Sequence, residues 1–557
     1  AAYEDFQKIP NGSMAYWLSE EAINDFGRNK LSDVFTTREG MTTADNEQFL
    51  RCWYEVDFQH IGLDMENEDE SVRSGKKWFP YNKGGNNRKW YGNNELVVNW
   101  ENAGSAIRNL SDIKTGRIRS HNYNGEYSFR EAGTWTAICS GDIMVRYSPK
   151  GALFDSKGAS GFSADNDSLL YCIGLLNSKV SSVFLKVLSP AFEYKVGHVS
   201  NVPYIEGKRD EVVEHTQQAI NISKLAWDEN EISKDYLIDP IVSIAKTKGI
   251  CRIEEAVVLF KNRRQSLRQS LLEHEISINE IFINLYNLQE ELDKENNIDE
   301  LSIEWLEDEK IVKNIISYAI GCLFGRYSSD ATGVLCTSND MNKTLYQTFN
   351  PDDDNIIPVL DDEYVTNDLV GLFCQWIKSV FGSAEYDENM LYLGNTLSSK
   401  GDTAKEKLRN YFLNDFYKEH CNMYGSSGLG KRPIYWLFDS GKQNGFKALV
   451  YMHRYNADTI GNLRIDYLHR MERIYESEIN RMQDTIDNSS NAREVTAASK
   501  RKEKLHKQLK ECKEYDEKIG HLALSRIEID LDDGVKVNYE KVQTANDGKK
   551  YQVLAKI

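Results

Sequence analysis

No C-x-x-C pair occurs in the sequence. The nine cysteines, at positions 52, 139, 172, 251, 322, 336, 374, 421 and 512, are scattered, which argues against a clustered zinc site or a disulfide framework and fits a reducing cytosol. No run approaches the ~18 apolar residues of a membrane helix and no signal peptide opens the chain, so a soluble, unexported protein with no membrane partner is expected. Basic charge is short as well: 68 Lys and Arg against 86 Asp and Glu give a formal charge of −18. General nucleic-acid coating is thereby disfavoured, and contact with a polyanion is left to local basic patches on an acidic body. The chain opens at Ala1 without Met and runs at once into FQKIPNGSMAYWLS, as a piece of something longer would. Its length suits about three or four domains.

The charge balance reverses in one place. Between Glu70 and Glu95 there is no acid, while six bases, Arg73, Lys76, Lys77, Lys83, Arg88 and Lys89, interleave with Trp78, Phe79, Tyr81, Trp90 and Tyr91. Asn82, Asn86, Asn87, Asn93 and Asn94 lie around Gly84, Gly85 and Gly92. Bases neutralise phosphates, aromatic faces stack on bases or sugars, asparagine reads purine edges, and glycine lets backbone come close. A polyanion-binding surface would have this composition. So would an irregular loop with solvated lysines and rings half in a core, and composition alone leaves both readings open.

The rest of the chain divides by periodicity. A short helix is expected at SEEAINDFGRN, and Gly40 with Thr42–Asn46 separates two apolar runs. TWTAICSG and DIMVRYSPKGALFDS read as strands. The spacing of Leu169, Cys172, Ile173, Leu176, Val180, Phe184 and Val187 predicts one amphipathic helix through residues 168–188, and VGHVSNVPYI reads as a closing strand. A helical, acidic region follows from about 206, with a long helix from Ile253 to Leu292 whose Arg263, Arg264 and Arg268 belong to a solvated or salt-bridged face. KRPIYWLFDSGKQNGFKALVYMHRY reads as a β-hairpin whose second strand ends at His453, Arg454 and Tyr455. Leu463 to Ile519 reads as two antiparallel helical arms broken at DNSSNAR, and IEIDLDDGVKVNY as a strand-and-turn tail.

Gly40, Thr43, Asn46 and Phe49 form a Gly-x-x-Thr-x-x-Asn-x-x-Phe motif. With GLLNSKV and the closing VGHVSNVPYI, it resembles the target-recognition domains of type I and type IIG restriction–modification proteins. The sequence resembles still more closely the C-terminal half of PglX-type proteins, the adenine-specific DNA methyltransferases of BREX phage-defence systems. That likeness continues through KWFPYNKGGNNRKWYGNNELVVNWEN, NEIFINLYNLQEEL, IISYAIGCLFGRYSSD, PDDDNIIPVLDDEY, the hairpin and the tail. The fold it implies is α+β and multidomain. A mixed α/β DNA target-recognition domain would span 1–205, a helical spacer 206–345, an α/β C-terminal domain 346–460, and an antiparallel helical (coiled-coil) hairpin with a tail 461–557.

The function implied is sequence-specific recognition of double-stranded DNA for an adenine-N6 methyltransferase of the bacterial cytoplasm. S-adenosylmethionine and catalysis would belong to a half outside this chain, which would itself hold no cofactor, metal or catalytic residue and be inactive alone. Other BREX proteins and phage-encoded DNA-mimic inhibitors are the further implied partners. The expected DNA-contacting residues are Arg73, Lys76, Lys77, Lys83, Asn86, Asn87, Arg88, Lys89, Tyr91, Asn93, Asn94, Lys114, Arg117 and Arg119, with Thr43 and Asn46 of the opening motif. Lys and Arg would set position on phosphates, and Asn or Arg would set sequence at base edges. Lys431, Arg432, Lys442, Lys447, His453 and Arg454 form a second basic patch.

Several look-alikes are set aside on their surroundings. An N6-adenine methyltransferase needs a Gly-rich turn for its cofactor and an Asn-Pro-Pro-Tyr-type loop for the flipped base. The sequence has no such turn, and Asn201-Val202-Pro203-Tyr204 reads as a strand end. Gly425 to Lys431 imitates a P-loop, but Arg432 and Pro433 follow where Ser or Thr and a helix belong. Asp352, Asp353, Asp354, Asp361, Asp362 and Glu363 read as turn and cap residues rather than as ligands of a divalent metal. Lys500, Arg501, Lys502 and Lys504 on the helical arm suit a partner, DNA or simple bracing. Two alternatives stand beside the methyltransferase reading: a separate specificity subunit of a type I-like restriction–modification complex, and a scaffold for other defence proteins that never touches DNA.

Overall fold

The computed structural model describes residues 7–10, 15–139, 141–191, 193–336, 341–426 and 428–557. Residues 1–6 and 11–14 of the opening segment, Ser140 of one strand-like run and Ser427 of the P-loop look-alike lie outside these residues. The fold is α+β, as expected: short sheets among many helices. Two four-stranded sheets arise before residue 165. In the first, β1 (Thr36–Arg38), β8 (Ser160–Phe162), β5 (Ala132–Trp135) and β6 (Val145–Ser148) lie in that order, all antiparallel. In the second, β2 (Leu50–Cys52), β4 (Leu96–Asn99) and β3 (Trp78–Asn82) are antiparallel, and β7 (Leu153–Phe154) joins parallel to β3. Gly40, which opens the motif, sits where a Cβ would lie 1.9 Å from the Phe154 carbonyl oxygen, so only glycine lets the two segments meet.

These two sheets feed different interiors. Leu50, Trp78, Phe79, Tyr81, Val97 and Val98 share a core with helices Pro240–Lys248, Asp308–Leu323, Leu369–Phe381 and Ala404–Asn414. Trp135 and Val145 instead share one with helices Asn166–Asn177, Lys179–Leu188, Arg209–Asp228 and the later turns of Ile253–Leu285. The P-loop look-alike forms a small antiparallel pair, β10 (Gly425–Ser426) with β11 (Gly430–Lys431). A third core lies between the helical arms and a three-stranded antiparallel sheet ordered β12 (Tyr435–Asp439), β13 (Lys447–Tyr451), β9 (Ile356–Pro358). The C-terminal tail extends that sheet, with Asp439 N–H donating to Val553 O and Ala555 N–H to Leu437 O.

Residues 168–188 form two helices where periodicity predicts one. Asp165 caps the first by accepting from Ser168 N–H at 2.8 Å. Leu169 to Asn177 are all buried, so this helix is enclosed on every side rather than amphipathic. Asn177 then accepts from Val145 N–H and donates to Val145 O, both at 2.9 Å, and this clamp on β6 forces Ser178 into an extended conformation. The next helix leaves at 72°. No single described helix is long and apolar enough to cross a membrane.

Other boundaries differ for similar tertiary reasons. The long helix ends at Leu285, because Tyr286 turns its hydroxyl to Pro203 O at 2.8 Å. VGHVS is helical (Val196–Ser200) rather than a strand. His453 and Arg454 follow β13 in a 3-10 turn instead of ending the strand. The tail forms a 3-10 turn at Leu531–Asp533 and a helix at Gly534–Lys541 instead of a strand.

The antiparallel arms are His469–Asn488 and Ala492–Ser525, turned at Asn491, which accepts from Arg493 N–H. Met471, Tyr475, Leu505, Cys512, Tyr515, Ile519 and Leu522 are buried at their base, whereas the outer turns pack chiefly on each other. The acidic run braces this base: Arg501 pairs with Asp362 at 2.8 Å and Lys504 with Asp361, while Lys502 reaches Gln483. Leu505→Ala should therefore destabilise the hairpin base by about 2–5 kcal/mol, whereas Ile486→Ala in the outer turns should cost under about 1 kcal/mol. Hydrogen exchange should likewise be faster across residues 480–500 than across 505–522.

Candidate nucleic-acid interface

The aromatic members of the basic stretch are core residues. Trp78, Phe79, Tyr81, Trp90 and Tyr91 are all buried, and their polar atoms reach distant parts of the chain. Trp90 Nε1 donates to Glu275 at 2.7 Å, and Trp78 Nε1 to Asp532 at 2.8 Å. Several bases follow them inward. Lys77 pairs with Asp532 at 3.1 Å and Lys89 with Glu275 at 3.6 Å, while Arg88 donates to Ser302 O and lies over the Trp227 ring. Burial lowers the Arg88 guanidinium pKa, and that of Arg146 beneath it to about 10. Arg73 sits on the acidic helix Glu68–Arg73, and Lys76 donates to Gln59 O. Asn93 donates to Asn86 O and Asn94 to the Tyr91 hydroxyl. Of the two readings of this composition, the rings are placed as the packed-loop reading requires.

The tail seam closes over this sheet. Asp532 accepts from Trp78 and Lys77, with His60 Nδ1 3.2 Å away. Burial would raise its pKa, but the hydrogen bonds from Trp78 and Lys77 outweigh that and hold it below the usual carboxylate range. Nearby Glu55 is fully buried, accepts from Cys52 N–H at 2.8 Å and Val535 N–H at 2.9 Å, and lies 3.5 Å from Arg432 Nε. Burial pushes Glu55 upward against the pull of Arg432. A carboxylate with a depressed folded pKa stabilises above its unfolded value and loses that contribution as pH falls through the folded one. Asp532→Asn should therefore cost about 1–3 kcal/mol near neutral pH, and the difference from wild type in urea unfolding should shrink below about pH 4.

The second basic patch is not a surface. Arg432 is engaged with Glu47 and Glu55, and Lys447 with Asp439. Arg454 donates to the carbonyls of Phe324, Asp352 and Asp353. His453 lies at a buried position beside Val56 O, where burial drops its pKa to about 3, so it is neutral at physiological pH. Only Lys431 and Lys442 of the six are exposed. Proximity along the sequence groups these charges, whereas the β-turn and the 3-10 turn point them in different directions.

What the fold does assemble is a polar ridge around the opening motif. Thr43 Oγ1 donates to Asn46 Oδ1 at 2.9 Å, and Lys83 Nζ reaches both Asn46 (3.2 Å) and the buried Asp155 (2.8 Å). Asp155 also accepts from Tyr81 OH at 2.7 Å and Lys157 N–H at 2.8 Å, so it is the hub that fixes Lys83. Ala44 is held left-handed at φ 60°, a conformation costing a non-glycine residue about 1–2 kcal/mol, and its carbonyl accepts from Arg119 at 3.4 Å. Thr42 exchanges backbone hydrogen bonds with His121, whose ring stacks on the exposed Tyr123, and its hydroxyl meets Ser156. Lys157 is exposed beside it, with its carbonyl against Gly84.

From this ridge the loop 110–120 projects. Lys114, Arg117 and Arg119 are exposed, and among the described residues the Lys114 and Arg117 side chains have no hydrogen-bond or ion-pair partner. The loop's one acid, Asp112, accepts from Thr115 N–H and hydroxyl and from Lys114 N–H, which holds it below the usual carboxylate range. Thr43, Asn46, Lys83 and Arg119 thus converge, while Arg73, Lys76, Lys77, Arg88 and Lys89 serve other contacts. The sequence reading missed His121, Lys157 and Asp155. The Thr42–Asn46 cluster was the available signal, since whatever pairs with that turn must line the same ridge.

No family model matches the sequence. The chain is 40% identical over 545 residues, 97% of its length, to the adenine-specific methyltransferase PglX of Lacticaseibacillus casei (strain Zhang). It is 32% identical over 569 aligned residues, 96% of its length, to the adenine-specific methyltransferase BrxX of Escherichia coli O9:H4 (strain HS). It covers 45% of each of these proteins. Along nearly all of its residues the chain is therefore PglX- and BrxX-like, and it spans slightly under half the length of either relative.

Proposed function

We propose that this chain is the DNA target-recognition half of a BREX-type, site-specific adenine-N6 DNA methyltransferase, working in the bacterial cytoplasm on double-stranded DNA. The observation that carries the reading is the exposed cation set Lys114 and Arg117, unpaired among the described residues, which with Arg119 stands on a ridge of Thr42, His121 and Lys157 in a protein of net charge −18. Cations left without an internal partner on an acidic body suit a polyanion. The alignment with two adenine-specific methyltransferases supports reading that polyanion as DNA. On this reading phosphates are met by Lys114, Arg117, Arg119 and Lys157, and base edges by the exposed asparagines Asn86 and Asn87.

Catalysis is assigned to the part of such a protein that this chain does not match. The Asn201-Val202-Pro203-Tyr204 segment is engaged internally at each functional atom a flipped adenine would need. Asn201 accepts from Lys30 and donates to Gly197 O, and the Pro203 carbonyl accepts from Tyr286. Tyr204 is buried edge-on to Tyr171.

The test is a salt titration of duplex binding. Alanine at Lys114, Arg117 and Arg119 should weaken binding on all sequences and lower the slope of log affinity against log salt by about 0.9 for each phosphate no longer neutralised. Alanine at Lys77 or Lys89 should instead lower thermal stability with little change in slope. Methyl transfer from S-adenosylmethionine by this chain alone, or equal slopes for both variant sets, would rule the assignment out.

A further inference from the structure

The loop that carries those cations has an apolar tip. Ile113 is 102% exposed, and Ile118 on the same loop is 50% exposed. A single exposed aliphatic residue is ordinary, so the argument rests on how this one is held. Ser111 and Ile118 pair as an antiparallel bridge, Asp112 N–H donates to Arg117 O at 2.8 Å, Gly116 N–H returns to Asp112 O, and Arg119 N–H donates to Leu110 O. The base is anchored by Ser120, buried, with its hydroxyl on Ile107 O at 2.5 Å, and by the His121–Thr42 pairing. The loop is thus a tied finger in which Ile113 opens the terminal turn, with Lys114 next to it in that turn and the exposed Arg117 and Arg119 on the returning limb, its one carboxylate occupied by the turn.

We propose that residues 110–120 are a wedge that inserts Ile113 against the stacked bases of duplex DNA while Lys114 and Arg117 hold the flanking phosphates. An exposed apolar residue on a loop that also carries three exposed cations matches a ligand that is anionic outside and apolar within, and aliphatic wedges between base steps are a known way to kink or open a duplex. The hydrogen-bonding ridge of Thr42, His121 and Lys157 behind the finger favours a duplex over an anionic lipid surface, which offers no groove edges to read. The proposal rests on the DNA reading above and adds to it a residue that acts by unstacking.

The experiment compares the full chain on two duplexes of one sequence, one intact and one with a single abasic site. Unstacking costs a few kcal/mol per step and an abasic site removes most of that cost, so the wild-type chain should prefer the abasic duplex by about tenfold. Ile113→Ala, at a position with no packing to lose, should reduce the preference to about twofold or less without altering the salt slope, and Ile113→Phe should restore it. Lys114→Ala with Arg117→Ala should weaken both duplexes equally. Salt-dependent binding with no abasic preference, or with a preference that Ile113→Ala leaves intact, would overturn the wedge and leave the DNA reading standing. Absence of salt-dependent binding to either duplex would overturn both. Ile113-dependent binding to anionic phospholipid vesicles without any to DNA would also overturn the wedge.

Discussion

Two carboxylates, Glu55 and Asp532, hold the ends of this chain together. A charge taken out of water costs several kcal/mol unless its partners replace the lost hydration, and Glu55 has its replacements from three parts of the sequence: Cys52 N–H, Val535 N–H and Arg432. Gly534 is where the tail passes closest, since a Cβ there would lie 2.4 Å from Arg51 Nε, and its φ of +76° suits glycine. The second sheet, the β11 strand leading to Arg432 and the tail are thus mutually conditional. None leaves its buried charges satisfied without the others.

The local charge reversal at residues 71–94 has the same logic. The acidic body contributes Asp155, Glu275 and Asp532 to meet Lys83, Lys89 and Lys77. Much of what looks like surplus base along the chain is complementarity spent inside it. Among the bases expected at DNA, Lys114 and Arg117, on a short loop further along, have nothing of their own to pair with among the described residues.

The elements set by local signals were legible in the sequence. The β12–β13 hairpin and the arms broken at DNSSNAR follow from turns and periods that lie within a few residues of each other, while the α+β class came with the family resemblance. What was not legible depends on partners far away. Trp90 is a core residue because of Glu275, 185 positions later, and Trp78 because of Asp532, 454 positions later. A ring that stacks on a base and a ring that packs in a core have the same letter, so composition could not divide them. The break at Ser178 was hidden likewise, because Asn177 answers to Val145 and not to its own helix. Lys114, Arg117 and Arg119 could be named as cations, but Ile113 just ahead of them carries no sign in sequence of standing clear of every neighbour.

The division of the first two sheets between separate cores has an evolutionary consequence. A region whose β-strands each complete someone else's interior cannot be exchanged between homologues by recombination at a single boundary near residue 205, since the graft would meet foreign surfaces in both cores at once. Variation has a freer route through segments that touch neither core. Residues 111–119 of the finger, beyond the Leu110 that packs on the first core, and the exposed Asn86–Asn87 turn are such segments. Change in what this protein meets is therefore expected to accumulate as loop replacement on an otherwise fixed body, with the buried carboxylates and their partners inherited as one block.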